Sequence, residues 1–282
     1  MVALRVAKVL ITSTLEAVDP SSGVRVRPAD LATWLLARGR SAVTTAEAAE
    51  LMGIRPELVR VRLHSRRGEF VSPVRGLWVP VPAEYRLWGA PEGIDLIDLM
   101  MRHLDVEYYV GWLSAAAVHG AAHHAPQTFQ VATGRPVADR IVGRTDFRFV
   151  TRSAVGTLPT ISRPTRSGRA VISSPEVTAL DVATDVALAG GIDNAATVIV
   201  GLAEEGLELS IVAELSSRFP TASVRRIGWI LDSFGDHDLS PLLDAVRDGT
   251  VTPSALDPAR PPRGATDRNW LVRVNTDVDA EF

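Results

Sequence analysis

Between residues 25 and 82 the chain is interrupted by helix-stopping residues so often that no helix there can run beyond roughly four turns. Gly39, Gly53 and Gly68 are the stops, and Pro56 suits only the first turn of a helix. Leu31, Trp34 and Leu35 recur at i, i+3 and i+4, which predicts a helix from Asp30 to Arg38. Thr44-Thr45 ahead of AEAAELMG reads as an N-capped second helix closing at Gly53. Arg55-Pro56-Glu57 opens a third, which turns Leu58, Val59 and Leu63 inward and ends at Gly68. The alternation Val-Arg-Val-Arg-Leu over 59–63 is the rival signal there, since it also fits a strand. EFVSPV and LWVPV, with Arg75-Gly76 between them, read as two short strands and a tight turn.

Helix, helix, glycine turn, helix, hairpin is the order of a winged helix-turn-helix. The second helix braces and the third presents a polar face to the major groove. The charge pattern fits that order. The whole chain carries a formal charge of −3. Residues 55–75 hold six arginines against two glutamates, a local excess of four positive charges of the kind a phosphate backbone requires. Glu57, Arg60, His64 and Arg67 share one face of the third helix at 100° per residue, and Arg75 stands where a wing approaches the minor groove. Arg55, Arg60, Arg62, His64, Arg67 and Arg75 are therefore the candidate DNA-binding residues. The blander readings are a solvated arginine face, or a degenerate winged helix used for protein contacts.

The fold class expected is α+β, an N-terminal winged helix-turn-helix followed by a mixed α/β C-terminal domain. Residues 1–24 form an N-terminal segment, either packed on the body or poorly ordered, in which Arg5 and Lys8 interrupt the apolar run. The DNA-binding unit spans 25–82. Residues 83–93 are a linker marked by Gly89, Pro91 and Gly93, and 94–282 form the second domain. No run of roughly 18 uncharged apolar residues occurs, so a cytoplasmic protein without a membrane span is expected. Cysteine is absent, which removes disulfides, thiolate metal sites and a cysteine nucleophile. Lys8 is the single lysine against 29 arginines, and a GC-rich genome is the simplest explanation.

The second domain shows no catalytic constellation. Helices are expected over Ile94–Leu104, Val110–His119, from Ser174-Pro175-Glu176 onward, and over 193–205, 209–217 and 222–233. Strands are expected at Phe129–Thr133, Arg140–Val142 and Asp146–Thr151. The Ser/Arg/Pro-rich stretch 162–168 reads as a connection, 252–268 as a surface excursion, and the segment from Asn269 as a returning strand. His119 and His123 stand at i, i+4 with His124 beside them, but Gly120 occupies the place of a metalloprotease glutamate, and a polar helix end is expected instead of a metal site. Ser114 lacks the G-x-S-x-G setting of a nucleophile elbow. Gly190-Gly191 reads as a helix C-cap, and Arg225-Arg226 as a solvated helix start. Asp181 and Asp185 are i, i+4, yet no lysine accompanies them as a nuclease would need. No catalytic residue, cofactor or metal is expected.

The order of four segments resembles a known family. YYVGWLSAAAVHG (108–120) precedes SSPEVTALDVA (173–183), then VRRIGWILDSFG (224–235), then DRNWLVRVN (267–275). After a winged helix-turn-helix, this order is similar to that of the AbiEi antitoxins of bacterial type IV toxin–antitoxin systems. The resemblance implies a non-enzymatic antitoxin and autorepressor. Its N-terminal domain would bind double-stranded operator DNA through Arg55, Arg60, Arg62, His64, Arg67 and Arg75, and its C-terminal domain would neutralise a nucleotidyltransferase-like toxin. The chain departs from the family in its basic patches, for which Arg225 and Arg226 alone stand out in the second domain. A ligand-responsive regulator without a toxin partner is the alternative, and an enzyme with an appended winged helix is a further one.

Overall fold

The computed structural model describes residues 25–66, 68–122, 127–153, 155–247 and 251–280. The N-terminal segment read from the sequence, together with Arg67, His123 and His124, lies outside them. The described chain is mixed α+β, with helices and three sheets. Among the described residues no helix is long and apolar enough to cross a membrane.

The N-terminal unit contains α1 (Leu31–Leu36), β1 (Val43–Thr44), α2 (Thr45–Met52), α3 (Pro56–His64), β2 (Phe70–Val71) and β3 (Leu77–Pro80). The strands form one antiparallel sheet in the order β1-β3-β2. Thr44 caps α2 through a reciprocal box. Its hydroxyl accepts from Glu47 N at 3.2 Å, and Glu47 Oε2 accepts from Thr44 N at 2.7 Å. Gly53 ends α2 at φ +63, the left-handed conformation that a C-cap glycine supplies. Leu31, Leu35, Val59, Leu63 and Trp78 make the small core beneath.

The second unit is built on a six-stranded sheet in the order β6-β7-β5-β4-β9-β8. Its strands are β4 (Tyr108–Val110), β5 (Thr128–Thr133), β6 (Arg140–Val142), β7 (Thr145–Thr151), β8 (Thr160–Thr165) and β9 (Gly168–Ser173). Pairing is parallel for β4–β9 and β5–β7 and antiparallel for β4–β5, β6–β7 and β8–β9. Alternation along β4 separates the two faces. Tyr108 and Val110 turn to α4 (Gly93–Leu104), whereas Tyr109 turns to a helical layer. That layer comprises α5 (Trp112–Val118), α6 (Pro175–Thr184), α7 (Ile192–Glu204), α8 (Leu209–Leu215), α9 (Thr221–Phe234) and α10 (Ser240–Arg247). A third small sheet follows, with β10 (Ser254–Ala255) parallel and β11 (Thr266–Asp267) antiparallel to β12 (Val272–Arg273).

Several sequence expectations need correction. Val110 is not the start of a helix but the last residue of a central strand, Tyr108–Val110, and the extended backbone of Gly111 follows before α5 begins at Trp112. The stretch 162–168 is not a connection, since most of it lies in the β8–β9 hairpin. Gly190-Gly191 closes a turn at φ +81 and +111, and Gly191 is the N-cap of α7, not a helix C-cap. The excursion over 252–268 begins inside the fold, with Leu256 fully buried. Arg225 and Arg226 are not solvated. They are 1% and 6% exposed, in the interior of α9.

The core facing α4 also draws on the N-terminal unit. Ala42, Val74, Leu77 and Val79 pack in one cluster with Leu96, Met100, Tyr108 and Phe147. The expected linker 83–93 is folded against this cluster. It forms a single 3-10 turn at Ala83–Tyr85, and Tyr85 and Ala90 are buried.

Candidate nucleic-acid interface

The third helix is built so that its charge faces outward. Arg55 is the N-cap with extended backbone, Pro56 occupies the first helical position, and Glu57 places a carboxylate in the first turn where the helix dipole favours it. Val59 and Leu63, four residues apart, are essentially fully buried, which fixes the rotation of the helix. Arg55, Arg60, Arg62 and His64 are all exposed. The burial of Val59 and Leu63 and the proline at the start favour the helix over the strand that the 59–63 alternation also allowed. His64 packs edge-on against the Trp78 ring, centroids 5.5 Å apart, so its imidazole stands on a fixed platform.

Ion pairs of the described N-terminal residues lie elsewhere. Arg27 pairs with Asp30 at 2.7 Å, Arg40 with Glu47 at 2.7 Å, and Arg66 with Glu69 at 2.8 Å. Arg66 therefore contributes little to the local positive excess counted from the sequence, whereas no carboxylate among the described residues pairs with Arg55, Arg60 or Arg62. Val61 is 67% exposed among these arginines, an apolar residue on the outer surface that sequence reasoning passed over. Its signal was available, because the Val59–Leu63 stripe leaves Val61 on the opposite side.

Arg75 is exposed in the turn between β2 and β3, but the backbone of that turn is engaged. Its carbonyl lies 3.0 Å from His103 Nε2, at the end of α4. Arg67 lies outside the described residues, so the structure brings together four of the six candidates on α3 and places Arg75 on the neighbouring hairpin.

In the second unit one group of charged residues is committed internally. Asp181 of α6 is fully buried and takes Tyr109 OH at 3.0 Å and Arg152 Nη2 at 2.9 Å. Arg152 also reaches Asp185 at 2.5 Å, and Trp112 Nε1 donates to the same carboxylate at 3.1 Å. Burial pushes the Asp181 carboxyl up to about 7, against the opposing pull of Arg152 and Tyr109. Trp112 itself sits at φ +48, a conformation that costs a non-glycine residue on the order of 1–3 kcal/mol. Full burial and the bond to Asp185 hold it there. The network locks β4, α5, α6 and the end of β7 together.

The other singled-out residues have similar duties. Ser114 Oγ accepts from Gln130 N at 2.9 Å. His119, at the C-cap of α5, places Nε2 2.8 Å from the Ser173 carbonyl, and burial lowers its pKa. Arg225 donates to the Thr252 carbonyl at 2.9 Å. Arg226 donates to Ala255 and Leu256 carbonyls at 3.1 and 3.0 Å and to Ala183 at 2.7 Å. The pair therefore ties α9 to α6 and to the C-terminal segment, and it cannot serve as the surface patch the sequence suggested. Arg225 and Arg226 were misread because the carbonyls that cover them come from residues remote in sequence.

No curated protein matches the chain. A crystal structure of the RV2827C protein from Mycobacterium tuberculosis is similar in fold, at a TM-score of 0.63 and 18% identity over 88% of this chain and 92% of that one. Residues 109–233 match the model of the AbiEi antitoxin C-terminal domain, and three of the four segments noted from the sequence fall wholly or largely within that span. This match supports an antitoxin role in a toxin–antitoxin system. The part of the chain that carries the Tyr109–Arg152–Asp181 network and the buried arginine pair of α9 is thus the part that is similar to the AbiEi antitoxin C-terminal domain.

Proposed function

We propose that the chain is a non-enzymatic antitoxin and transcriptional autorepressor. In this reading α1–α3 and the β2–β3 hairpin are a winged helix-turn-helix, and α3 enters the major groove of double-stranded operator DNA. The unit that follows neutralises a cognate nucleotidyltransferase-like toxin in the cytoplasm. The observation that carries the DNA part is the outer face of α3, where Arg55, Arg60, Arg62 and His64 are exposed around Val61. Arginine forks suit guanine edges and phosphates, and an exposed valine suits a thymine methyl group. Arg55 and Arg60, towards the start of the helix, are the base readers. Arg75 supplies a phosphate or minor-groove contact, a role that Arg67 shares.

The toxin part rests on the family match over 109–233. A ligand-responsive regulator without a toxin is the second reading. Its support is a groove of about 440 Å³ lined by Leu113, Gln130, Asp139, Asp146, Arg148 and Leu188. An Asp139–Arg148 ion pair at 2.9 Å on its wall makes it less apolar than small-molecule pockets usually are.

Two readouts on the full-length chain test the proposal. Co-expression with the neighbouring nucleotidyltransferase-like gene should restore growth, and a reporter behind the native promoter should be repressed. Arg60→Ala should lose repression and keep growth rescue. Failure of the wild-type chain to rescue growth would remove the antitoxin reading, and full repression by the variant would remove α3 as the reading head.

A further inference from the structure

The turn that joins β2 to β3 is gripped from outside its own unit. Arg140 Nη1 of β6 donates to the Pro73 carbonyl at 3.2 Å. Two residues on, the Arg75 carbonyl takes His103 Nε2 of α4 at 3.0 Å, so that nitrogen carries the hydrogen in this contact. Between these bonds Val74 is 3% exposed, inserted into the apolar cluster that covers the α4 face of the large sheet. Gly76 then turns at φ +87, and a Cβ there would meet His103 Nε2 at 3.4 Å. From the other side Thr45 N donates to the Gly76 carbonyl at 2.8 Å, tying the turn to the start of α2. Only the side chain of Arg75 is left pointing to solvent.

A surface hairpin turn of five residues is ordinarily mobile, and ordering it on a ligand costs conformational entropy. Here the ordering is done by the fold before any ligand arrives. We infer that His103 and Arg140 are positioning residues for nucleic-acid binding: by holding the carbonyls of Arg75 and Pro73 they fix the wing and aim Arg75, which couples the family-matched unit to the DNA-reading unit. This inference rests on the DNA-binding reading of α3 and adds that the wing is set by residues outside the N-terminal unit. It also follows that residues 25–82 alone would present an unset wing, with Val74, Leu77 and Val79 stripped of their cover.

The test uses the full-length protein, a duplex carrying the native promoter, and two measurements. The first is hydrogen exchange of the amides over residues 74–77 without DNA. Wild type should be protected, His103→Ala and Arg140→Ala deprotected, and His103→Gln, whose amide can still donate, protected again. The second is DNA affinity. Each alanine variant should bind about three- to tenfold more weakly, the scale of losing the pre-organisation of one loop. Because the clamp acts through Arg75, the loss should vanish when His103→Ala is placed in an Arg75→Ala background. A general loss of structure would instead persist there. Equal exchange in wild type and the alanine variants, or an undiminished loss in the Arg75→Ala background, overturns the inference. A wild type with a protected wing that binds no DNA overturns the DNA reading itself and, with it, the role assigned here to the clamp.

Discussion

Replacing Gly228 by alanine should be severe, although alanine is the better helix former. Gly228 lies inside α9, and a Cβ there would stand under 3.0 Å from three atoms of the six-membered ring of Trp270. Trp270 is 1% exposed, and its Nε1 donates to Asp232 Oδ2 at 3.0 Å, so the ring is pinned on the helix surface and cannot slide. The indole must leave its seat. Losing a buried tryptophan costs roughly 3–5 kcal/mol, while exchanging glycine for alanine in a helix returns about 1 kcal/mol. A net loss of roughly 2–4 kcal/mol is expected, measured by urea denaturation monitored by far-UV circular dichroism. The sign should reverse when the ring is absent. In a Trp270→Ala background, Gly228→Ala should be neutral or stabilise by up to about 1 kcal/mol. A loss below about 1 kcal/mol in the wild-type background, or an equal loss in both backgrounds, would refute the packing argument.

Arg226→Ala strips the donor from three carbonyls, two of them in buried contacts, and a loss of roughly 2–4 kcal/mol in thermal or urea unfolding is expected; Arg226→Lys should not recover it, because an ammonium lacks the planar fork. Asp181 titrates near 7 in the fold against 3.8 ordinarily, so the folded protein holds a proton that the unfolded chain has released between those values. Stability should therefore fall as pH rises through that window and level off above it. Asp181→Asn should lose this slope, its stability relative to wild type rising from pH 4 to 7 in parallel urea titrations. Thr44→Ala breaks the capping box of α2 and should cost roughly 0.5–2 kcal/mol, with the melting temperature as the check.

Much of the N-terminal unit was legible because its signals are local. The Thr44–Glu47 box, the left-handed Gly53 and Pro56 at the head of α3 are each written within a few residues of the boundary they set. What escaped depends on distant partners. Val110, the end of the Tyr108–Val110 segment, ran into the apolar α5 sequence and looked like its first residue. Its pairing with β5 and β9 makes it a strand, and the hint was an aromatic, β-branched triplet before glycine. The β8 edge strand is exposed almost throughout, so it carries no alternating pattern to read. On α3 the exposed arginines were found by charge, whereas the clamp on the wing was invisible, because His103 and Arg140 come from elements 28 and 67 residues away from the carbonyls they hold.

The central claim is that α3 reads double-stranded DNA, and equilibrium binding across a salt series tests it most directly. Wild type, Arg60→Ala and Arg62→Ala would each be measured on the native promoter duplex and on a scrambled duplex of equal length. Log affinity should fall linearly with log salt for wild type, with a slope of about −0.9 per phosphate contact. Arg60→Ala should cost about 1–3 kcal/mol on the promoter and narrow its advantage over the scrambled duplex. Arg62→Ala, on the flank of the helix, should weaken both duplexes alike and reduce the slope by about one unit. If both variants match wild type on both duplexes at every salt concentration, α3 is not the DNA-reading surface.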